Sequence, residues 1–167
     1  SLFLLAAFAL LAVVRTADSN YHVLECEDDQ NSSDTLSNIV LVDLEQSGSN
    51  LTVTLQHPVL DDYQVEQFYV TVASNGEEHH MKADNQIDPF TVWMDMALFE
   101  GHKRLIIAPR LENAKTGNRW TGTPVVLKWS KTEKVWKHDK RIVFTVAPCQ
   151  FYESKGQFVV KVPKQYG

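Results

Sequence analysis

The chain alternates apolar and polar residues with a period close to two over most of its length. Residues 51–55 alternate strictly and are rich in β-branched side chains, which is typical of a half-buried strand. The alternation returns in residues 65–73. No long segment has the 3.6-residue period of an amphipathic helix, apart from a candidate helical turn at residues 131–137. The pattern therefore predicts an all-β protein.

Turn-forming residues divide this pattern into short strands. Asn75-Gly76 is a strong hairpin signal because both residues tolerate a positive φ. Pro109 lies inside a predicted strand and indicates an edge or a bulge, because proline has no N–H to donate. The predicted strands cover residues 39–44, 51–55, 65–73, 79–83, 90–96, 104–111, 125–129, 142–147 and 158–162. Many short strands at regular spacing favour an antiparallel β-sandwich or a barrel.

The N-terminal residues have a different character. Residues 2–14 are almost purely Leu, Ala, Phe and Val, and the run ends at Arg15. A membrane-spanning helix needs about 20 apolar residues, whereas a signal peptide needs roughly 7–15. Ala17-Asp18-Ser19 fits the small-x-small cleavage pattern. We therefore expect residues 1–19 to be a helical signal peptide of a secreted protein; the alternatives are cleavage after Ala17 and a buried N-terminal helix of the mature fold.

Removing residues 1–19 from the 167 leaves 148, which suits one domain. We expect residues 20–37 to form an acidic N-terminal segment and residues 38–167 to form a single β-sandwich domain with extra C-terminal strands. The formal net charge of -5 lacks the basic footprint that nucleic-acid binding uses. Neither a nucleic-acid partner nor a membrane span is expected.

Two pairs of residues agree with an extracellular location. Cys26 and Cys149 lie near opposite ends of the predicted mature chain, and an even pair in an oxidising compartment most simply forms one disulfide. The alternative is two unpaired buried thiols. Asn31 and Asn50 each begin an Asn-x-Ser/Thr glycosylation sequon, which indicates two surface sites.

Between residues 38 and 129, the order of landmarks resembles a fibronectin type III domain, an immunoglobulin-like sandwich of two antiparallel sheets. Residues 51–55, followed by His57-Pro58, resemble the family's strand B, and residues 65–72 resemble its third strand. Residues 99–111 look like the corner before strand F and the strand itself. Residues 117–125 look like the run that leads into strand G.

The chain departs from that family at two hallmark positions. Leu55 stands where strand B usually carries a core Trp, and Leu105 replaces the corner Tyr. The last strands lie outside the match. The resemblance implies an adhesion, receptor-like or matrix-binding role, with no catalytic residues.

A basic stretch rich in tryptophan is the strongest candidate for a contact surface. Between residues 128 and 141, lysines alternate with two tryptophans. Exposed Trp beside cations suits a protein, an acidic glycan or a membrane surface. The alternative is that one Trp belongs to the core and the lysines are only solvated. The candidate binding residues are Trp129, Lys131, Lys134, Trp136 and Lys137.

Catalytic and metal-binding patterns are weak. His79-His80 with Glu77 or Glu78 could bind zinc, but adjacent strand residues point to opposite faces. Loop aspartates could bind calcium, but EF-hand spacing is absent; they are Asp61, Asp62, Asp84 and Asp88. No Gly-x-Ser-x-Gly elbow and no phosphate-binding glycine loop occurs. We expect no metal, no cofactor and no enzymatic activity.

Three functions remain open. The first is a secreted, non-catalytic binding or structural module that recognises an extracellular protein or glycan. The second is a carrier of a small hydrophobic ligand inside a β-barrel or cup. The third is a hydrolase whose Ser, His and Asp meet only on folding. A filled space between the sheets favours the first, and a dry cavity favours the second.

Overall fold

The computed structural model describes residues 14–15, 21–26, 39–57, 62–83, 89–144 and 148–162. These residues form three β-sheets and one additional two-residue pairing, so the all-β prediction is confirmed. The strands are β1 (Val14–Arg15), β2 (Tyr21–Glu25), β3 (Val40–Ser47), β4 (Asn50–Gln56), β5 (Tyr63–Val72), β6 (Glu78–Met81), β7 (Phe90–Asp95), β8 (Arg104–Asn113), β9 (Arg119–Thr121), β10 (Val125–Ser130), β11 (Val135–His138), β12 (Val143–Phe144), β13 (Gln150–Ser154) and β14 (Gln157–Val162).

Most of the expected signal peptide lies outside the described residues. Its two described residues form β1, which pairs antiparallel with β12 and is extended rather than helical. The signal peptide therefore stays a prediction. Within the described part of the chain, no helix has the length and apolar character needed to cross a membrane.

The first sheet is antiparallel and has the strand order β3–β4–β7. In β4, Leu51, Val53 and Leu55 are buried, while Thr52 and Thr54 between them lie on the outer face. This is the alternation that the sequence predicts for a strand with one buried face. A 3-10 turn, Met96–Phe99, follows β7 and leads to the next sheet.

The central sheet has the order β11–β10–β8–β5–β6, and β9 also pairs with β8. β9 and β10 occupy the same edge of β8 and are separated by residues 122–124. Pro109, expected at an edge or a bulge, lies instead within this central strand. Pro109 faces the gap between β9 and β10, so its missing N–H breaks no pairing with either strand. Its carbonyl accepts a hydrogen bond of 2.8 Å from Gly122 N in that gap.

The space between these two sheets is filled with side chains. The core cluster includes Phe68 and Phe90, whose ring centroids lie 5.7 Å apart in an edge-to-face arrangement. Leu105, Ile107 and other inward residues of the central sheet pack against the buried side of the first sheet. The two sheets therefore form a packed sandwich.

The C-terminal strands add a third layer. β13, β14 and β2 form a sheet in which β14 is antiparallel to β13 and parallel to β2. Ile106 and Val126 on the outer face of the central sheet belong to a second buried cluster with Phe151 and Val160 of this layer. β8 is thus buried on both faces, which explains its continuous apolar run from Leu105 to Ala108.

One disulfide holds the third layer together. Cys26 follows β2 and Cys149 precedes β13, and their Cα atoms are 6.4 Å apart, so the predicted bond is confirmed. Both cysteines also donate backbone hydrogen bonds to β14, from Cys26 N to Val162 O and from Cys149 N to Lys161 O. The disulfide therefore joins the two flanks of one three-stranded sheet.

Candidate functional site

An open groove lies where the third layer covers only part of the central sheet. Its floor is the outer face of β5, β8 and β9, and its wall is β13 together with Pro148 and Cys149. Its volume is about 780 Å³, within the range of about 300–1,000 Å³ that is usual for ligand sites. We call it the outer groove; its floor includes Tyr69, Thr71, Ile106, Ala108, Arg110 and Thr121, and its wall includes residues 148–153.

The floor contains a stacked row of side chains that runs across three strands. The Tyr69 ring stacks on His80 of β6, with centroids 4.3 Å apart. On the neighbouring strand β8, the Arg110 guanidinium carbon lies 5.5 Å from the centroid of the same Tyr69 ring. Such stacking holds a planar guanidinium in one orientation while leaving its N–H groups available.

Arg110 keeps unused hydrogen-bonding capacity. Its Nη1 donates to Thr121 Oγ1 at 3.1 Å. Its Nε is buried and has no hydrogen-bond acceptor among the described residues. No carboxylate in the described part of the chain forms an ion pair with it. A half-buried guanidinium in this state favours an incoming anionic or carbonyl oxygen.

The two acidic side chains that line the groove are already paired. Glu78 Oε1 lies 2.7 Å from His80 Nε2, and Glu153 Oε1 lies 2.9 Å from Arg104 Nη1. Arg110 therefore provides the cationic character of the groove floor, and it has no carboxylate there to neutralise it.

The wall of the groove is a sheet edge. β13 and β14 are joined by the two-residue turn Lys155-Gly156, in which both residues have a positive φ (52° and 77°). In such a hairpin, alternate residues bond to the partner strand, so the backbone groups of Phe151 and Glu153 point away from β14. The N–H of Glu153, which points away from β14, donates to Ala73 O at 2.9 Å. This bond closes one end of the groove.

A buried carboxylate anchors this wall from behind. The Asp139 side chain is 0% exposed and lies between two guanidinium groups. Its Oδ1 accepts a hydrogen bond of 3.2 Å from Arg141 Nε, and its Oδ2 is 3.6 Å from Arg104 Nε. Arg104 in turn pairs with Glu153 and lies over the Phe158 ring at 4.9 Å. The Asp139–Arg104–Glu153 chain therefore connects the central sheet to the third layer.

Two pKa values respond to this environment. Burial alone would raise the pKa of Asp139, but the hydrogen bonds and charge of Arg141, with the charge of Lys128, hold it below its ordinary value. Burial lowers the pKa of the neighbouring His138, and Lys140 lowers it further, against a smaller opposing effect of Asp139. The structure thus favours ionised Asp139 and neutral His138.

The candidate binding residues of the basic stretch do not form one surface. Trp136 is only 4% exposed and belongs to the sandwich core, and Trp129 packs against it edge-to-face at 5.5 Å. Lys131 and Lys134 lie in the exposed turn between β10 and β11, while Lys137 pairs with Glu133 at 2.6 Å. The lysines remain at the surface, but the indole of Trp136 is internal. Residues 131–134 form a turn followed by β11 rather than the expected helical turn.

The other candidate residues are separated by the fold. His79 and His80 point to opposite faces, as expected, because His79 contacts Phe99 at 5.2 Å whereas His80 stacks on Tyr69. The described residues contain no group of three His, Cys, Asp or Glu able to hold a metal ion. Asn50 is exposed at the start of β4, whereas Asn31 and the calcium candidates Asp61, Asp84 and Asp88 lie outside the described residues.

Sequence reasoning missed the groove residues. The alternation in residues 65–73 places Tyr69 and Thr71 on the polar face of a strand and does not distinguish a groove from open solvent. The available signal was the unbroken apolar run from Leu105 to Ala108, since such a run indicates a strand covered on both faces. From that run, a further layer of structure covering the outer face of β8 could have been predicted. It would not have shown that this layer stops short of Arg110.

Comparison of the chain with protein-family models, with curated proteins and with solved structures gives no significant match.

Proposed function

We propose that this protein is a secreted, non-catalytic binding module built on a fibronectin type III-like sandwich, and that it recognises an extended segment of an extracellular protein in the outer groove. The groove, with its sheet edge and its unneutralised Arg110, is the observation that carries this proposal.

The distribution of strands between sheets supports the fibronectin type III-like assignment. The segment that resembles strand B is β4, in the first sheet. The segments that resemble the third strand, strand F and strand G are β5, β8 and β10, which lie together in the facing sheet. This division between sheets is the one found in immunoglobulin-like sandwiches. The third layer is an addition to that architecture.

The Cys26–Cys149 disulfide supports secretion, because such bonds persist mainly in oxidising compartments. The apolar segment at residues 2–14 provides the export signal in this proposal. The exposed position of Asn50 at a hairpin corner also suits the surface of an extracellular glycoprotein.

An extended peptide fits the groove because the wall offers main-chain partners. The outward N–H and C=O of Phe151 can pair with a strand laid along β13, the mode known as β-augmentation. An acidic side chain of that strand would reach Arg110 on the floor and pair with its guanidinium group. Main-chain bonds then give affinity, and the Arg110 pair gives specificity.

The second candidate, a carrier of a small hydrophobic ligand, has less support. The space between the first two sheets is filled by the core cluster. The groove is open, and polar groups of Thr71, Arg110 and Thr121 lie on its floor. A glycan remains an alternative occupant, and the experiment below separates it from a peptide.

The test is selection of short linear peptides from a displayed random library on the purified, disulfide-bonded protein. We expect the recovered peptides to share an acidic residue within an extended sequence. Arg110→Gln should weaken their binding about tenfold or more, because a hydrogen bond to a charged group contributes about 1.5–3 kcal/mol. Arg119→Gln is the matched control, since Arg119 is exposed and pairs with Glu66 outside the groove.

A second arm tests strand addition directly. Thr71→Trp fills the groove floor and should abolish binding, while thermal melts show that the variant still folds. Methylating the one peptide nitrogen that donates to Phe151 C=O should abolish binding, whereas methylating either adjacent peptide nitrogen should not. Failure to recover any peptide, or recovery of peptides that bind the Thr71→Trp variant equally well, would overturn the proposal. Binding of glycans or apolar dyes in the groove instead would favour the other occupants.

A further inference from the structure

The floor of the outer groove continues past Arg110 along the central sheet. Strand β8 presents Ile106, Ala108 and Arg110 to the groove, and Glu112, the next residue on the same face, lies beyond it. Two residues of a strand span about 6.7 Å. Glu112 is half-buried. A chain that is bound over Arg110 and continues along the sheet therefore meets Glu112 next.

The groove directs an extended chain that way because its other end is closed. The hydrogen bond from Glu153 N to Ala73 O joins the wall to the floor at the closed end. Gln67 precedes Ala73 by six residues, about 20 Å of extended chain, and Arg110 lies across from Gln67. A strand that pairs with Phe151 of the wall therefore extends away from Ala73, toward Arg110 and past it.

The wall keeps the direction of the floor strands. Glu153 Oε1 lies 2.9 Å from Arg104 Nη1 of β8. Two residues away on β13, Phe151 packs in the same buried cluster as Ile106, which is two residues beyond Arg104 on β8. β13 and β8 are therefore aligned here, as packed sheets often are to within about 30°. A strand added to β13 also runs along β8, and its inward side chains recur at the spacing of the outer side chains of β8.

The charge of the floor changes sign between Arg110 and Glu112. Arg119 lies directly across from Glu112 on β9, but its Nη2 is 3.3 Å from Glu66 Oε1. Glu112 forms no ion pair with another described residue, and no described carboxylate pairs with Arg110. Two carboxylates and one guanidinium give the group of Glu66, Glu112 and Arg119 a net charge of -1. A bound strand therefore meets a positive site and then a negative one.

We propose that the outer groove selects a strand by the order of its charges: an acidic residue over Arg110 and, two positions further from the closed end, a basic residue over Glu112. The inference rests on the proposed recognition of an extended peptide and names the class of sequence that fits. Glu112 is then a specificity-determining residue of the groove. A strand with the two charges exchanged brings base to base and acid to acid, so it is rejected.

The two charges of the floor contribute differently to binding. Arg110 is held by the Tyr69 ring and has a buried Nε, so its pair with a carboxylate forms partly out of water. Glu112 lies outside the groove lining, where an ion pair is screened by water and salt. Arg110 therefore determines affinity. Glu112 determines which of two oppositely ordered peptides binds, with about a two- to fivefold difference between them.

The test uses a set of β-branched peptides with one fixed central Glu, in which each other position carries Lys, Ala or Glu in turn. Binding of the full, disulfide-bonded chain is measured at low salt. Lys should strengthen binding about two- to fivefold over Ala at the second position on one side of the Glu, and a second Glu there should weaken it. The effect should appear on one side only, because a strand paired with β13 lies in one direction. High salt should reduce it.

Three variants assign the effect to Glu112. Glu112→Gln should remove the preference for Lys, and Glu112→Lys should reverse it in favour of Glu. Glu45→Lys is the matched control, since Glu45 is exposed on β3 in the other sheet and its replacement makes the same change in net charge. Arg110→Gln should weaken every peptide of the set but keep the ratio between Lys and Ala. Thermal melts of each variant show that it folds.

The proposed function and the charge order fail in different ways. If no peptide of the set binds, both are overturned. If peptides bind and depend on Arg110, yet Lys, Ala and Glu are equivalent at the second position on both sides, the proposed function stands and the charge order is overturned. An equal shift of preference in Glu45→Lys and Glu112→Lys also overturns the charge order, because the effect would then come from the net charge of the protein.

Discussion

Gln46 of the first sheet forms two hydrogen bonds with the backbone of the central sheet, one with Trp136 in β11 and one with Lys134 in the turn before it. Its Oε1 accepts from Trp136 N at 3.2 Å, and its Nε2 donates to Lys134 O at 3.2 Å. The side-chain amide of Gln46 thus bonds to backbone groups of Trp136 and Lys134 that a neighbouring strand would otherwise pair with. This contact ties the backbone of β11 at Trp136, whose side chain lies in the core, to the first sheet.

Gln46→Ala should therefore loosen the edge of the sandwich. It leaves the part-buried N–H of Trp136 without its partner and releases the exposed C=O of Lys134, which costs about 0.5–1.5 kcal/mol of the free energy of unfolding. Denaturant unfolding followed by tryptophan fluorescence measures this loss, and a red-shifted native emission should accompany it. Gln56→Ala, at an exposed position of β4, is the control and should change stability by less than about 0.5 kcal/mol.

Gly122→Ala should destabilise the protein through a steric clash with Pro109. A Cβ at position 122 would lie 2.6 Å from Pro109 Cγ and 3.4 Å from His57 Nε2. Overpacking of this kind costs about 1–3 kcal/mol. Thermal and denaturant unfolding would measure it. The double variant with Pro109→Ala removes the clashing ring, so the cost of Gly122→Ala should be smaller in that background; equal costs in both would contradict the clash.

Asp139 should make the protein sensitive to acid. Its pKa in the folded protein is held below the ordinary value by Arg141 and Lys128. The stability it contributes is therefore present above about pH 4 and is lost as pH falls through the folded pKa. Asp139→Asn should lower the free energy of unfolding at pH 7 by about 1.5–3 kcal/mol and flatten its decline below pH 4, as measured by denaturant titrations across pH.

His138 provides a control for that experiment because it acts in a different pH range. Its pKa is lowered by burial and by Lys140, so the unfolded chain takes up the proton first as pH falls below about 6.5. The stability contributed by neutral His138 is lost between that pH and its folded pKa. His138→Gln should flatten the stability curve in this upper range and leave the decline below pH 4 intact.

Opening the Cys26–Cys149 disulfide should release the third layer. The two cysteines are 123 residues apart, and closing so long a loop stabilises by as much as about 4–5 kcal/mol in the chain-entropy model. The Cys26→Ser, Cys149→Ser double variant should lose much of this stability. Hydrogen exchange should then accelerate first in β2, β13 and β14. Uniform acceleration across all three sheets would show that the third layer does not unfold separately.

Local patterns determined a large part of this structure. Strict alternation in residues 51–55 identified β4 and its buried face, because a strand presents successive side chains to opposite sides. Two cysteines allow a single intramolecular pairing, so the disulfide could be predicted from sequence. Alternation also located most other strands of the first two sheets, but it missed β11 (Val135–His138), where a helical turn was expected.

Only the tertiary structure decided which faces are covered and by what. The sequence around Trp136 contains nothing that distinguishes a core residue from a surface contact, since the core cluster that buries Trp136 consists of residues distant in sequence. The outer groove likewise exists because β13 covers Ile106 but stops short of Arg110. A period of two fixes the side of a strand on which a residue lies. Whether that side meets another sheet, a groove or water depends on contacts between segments distant in sequence, which local periodicity does not encode.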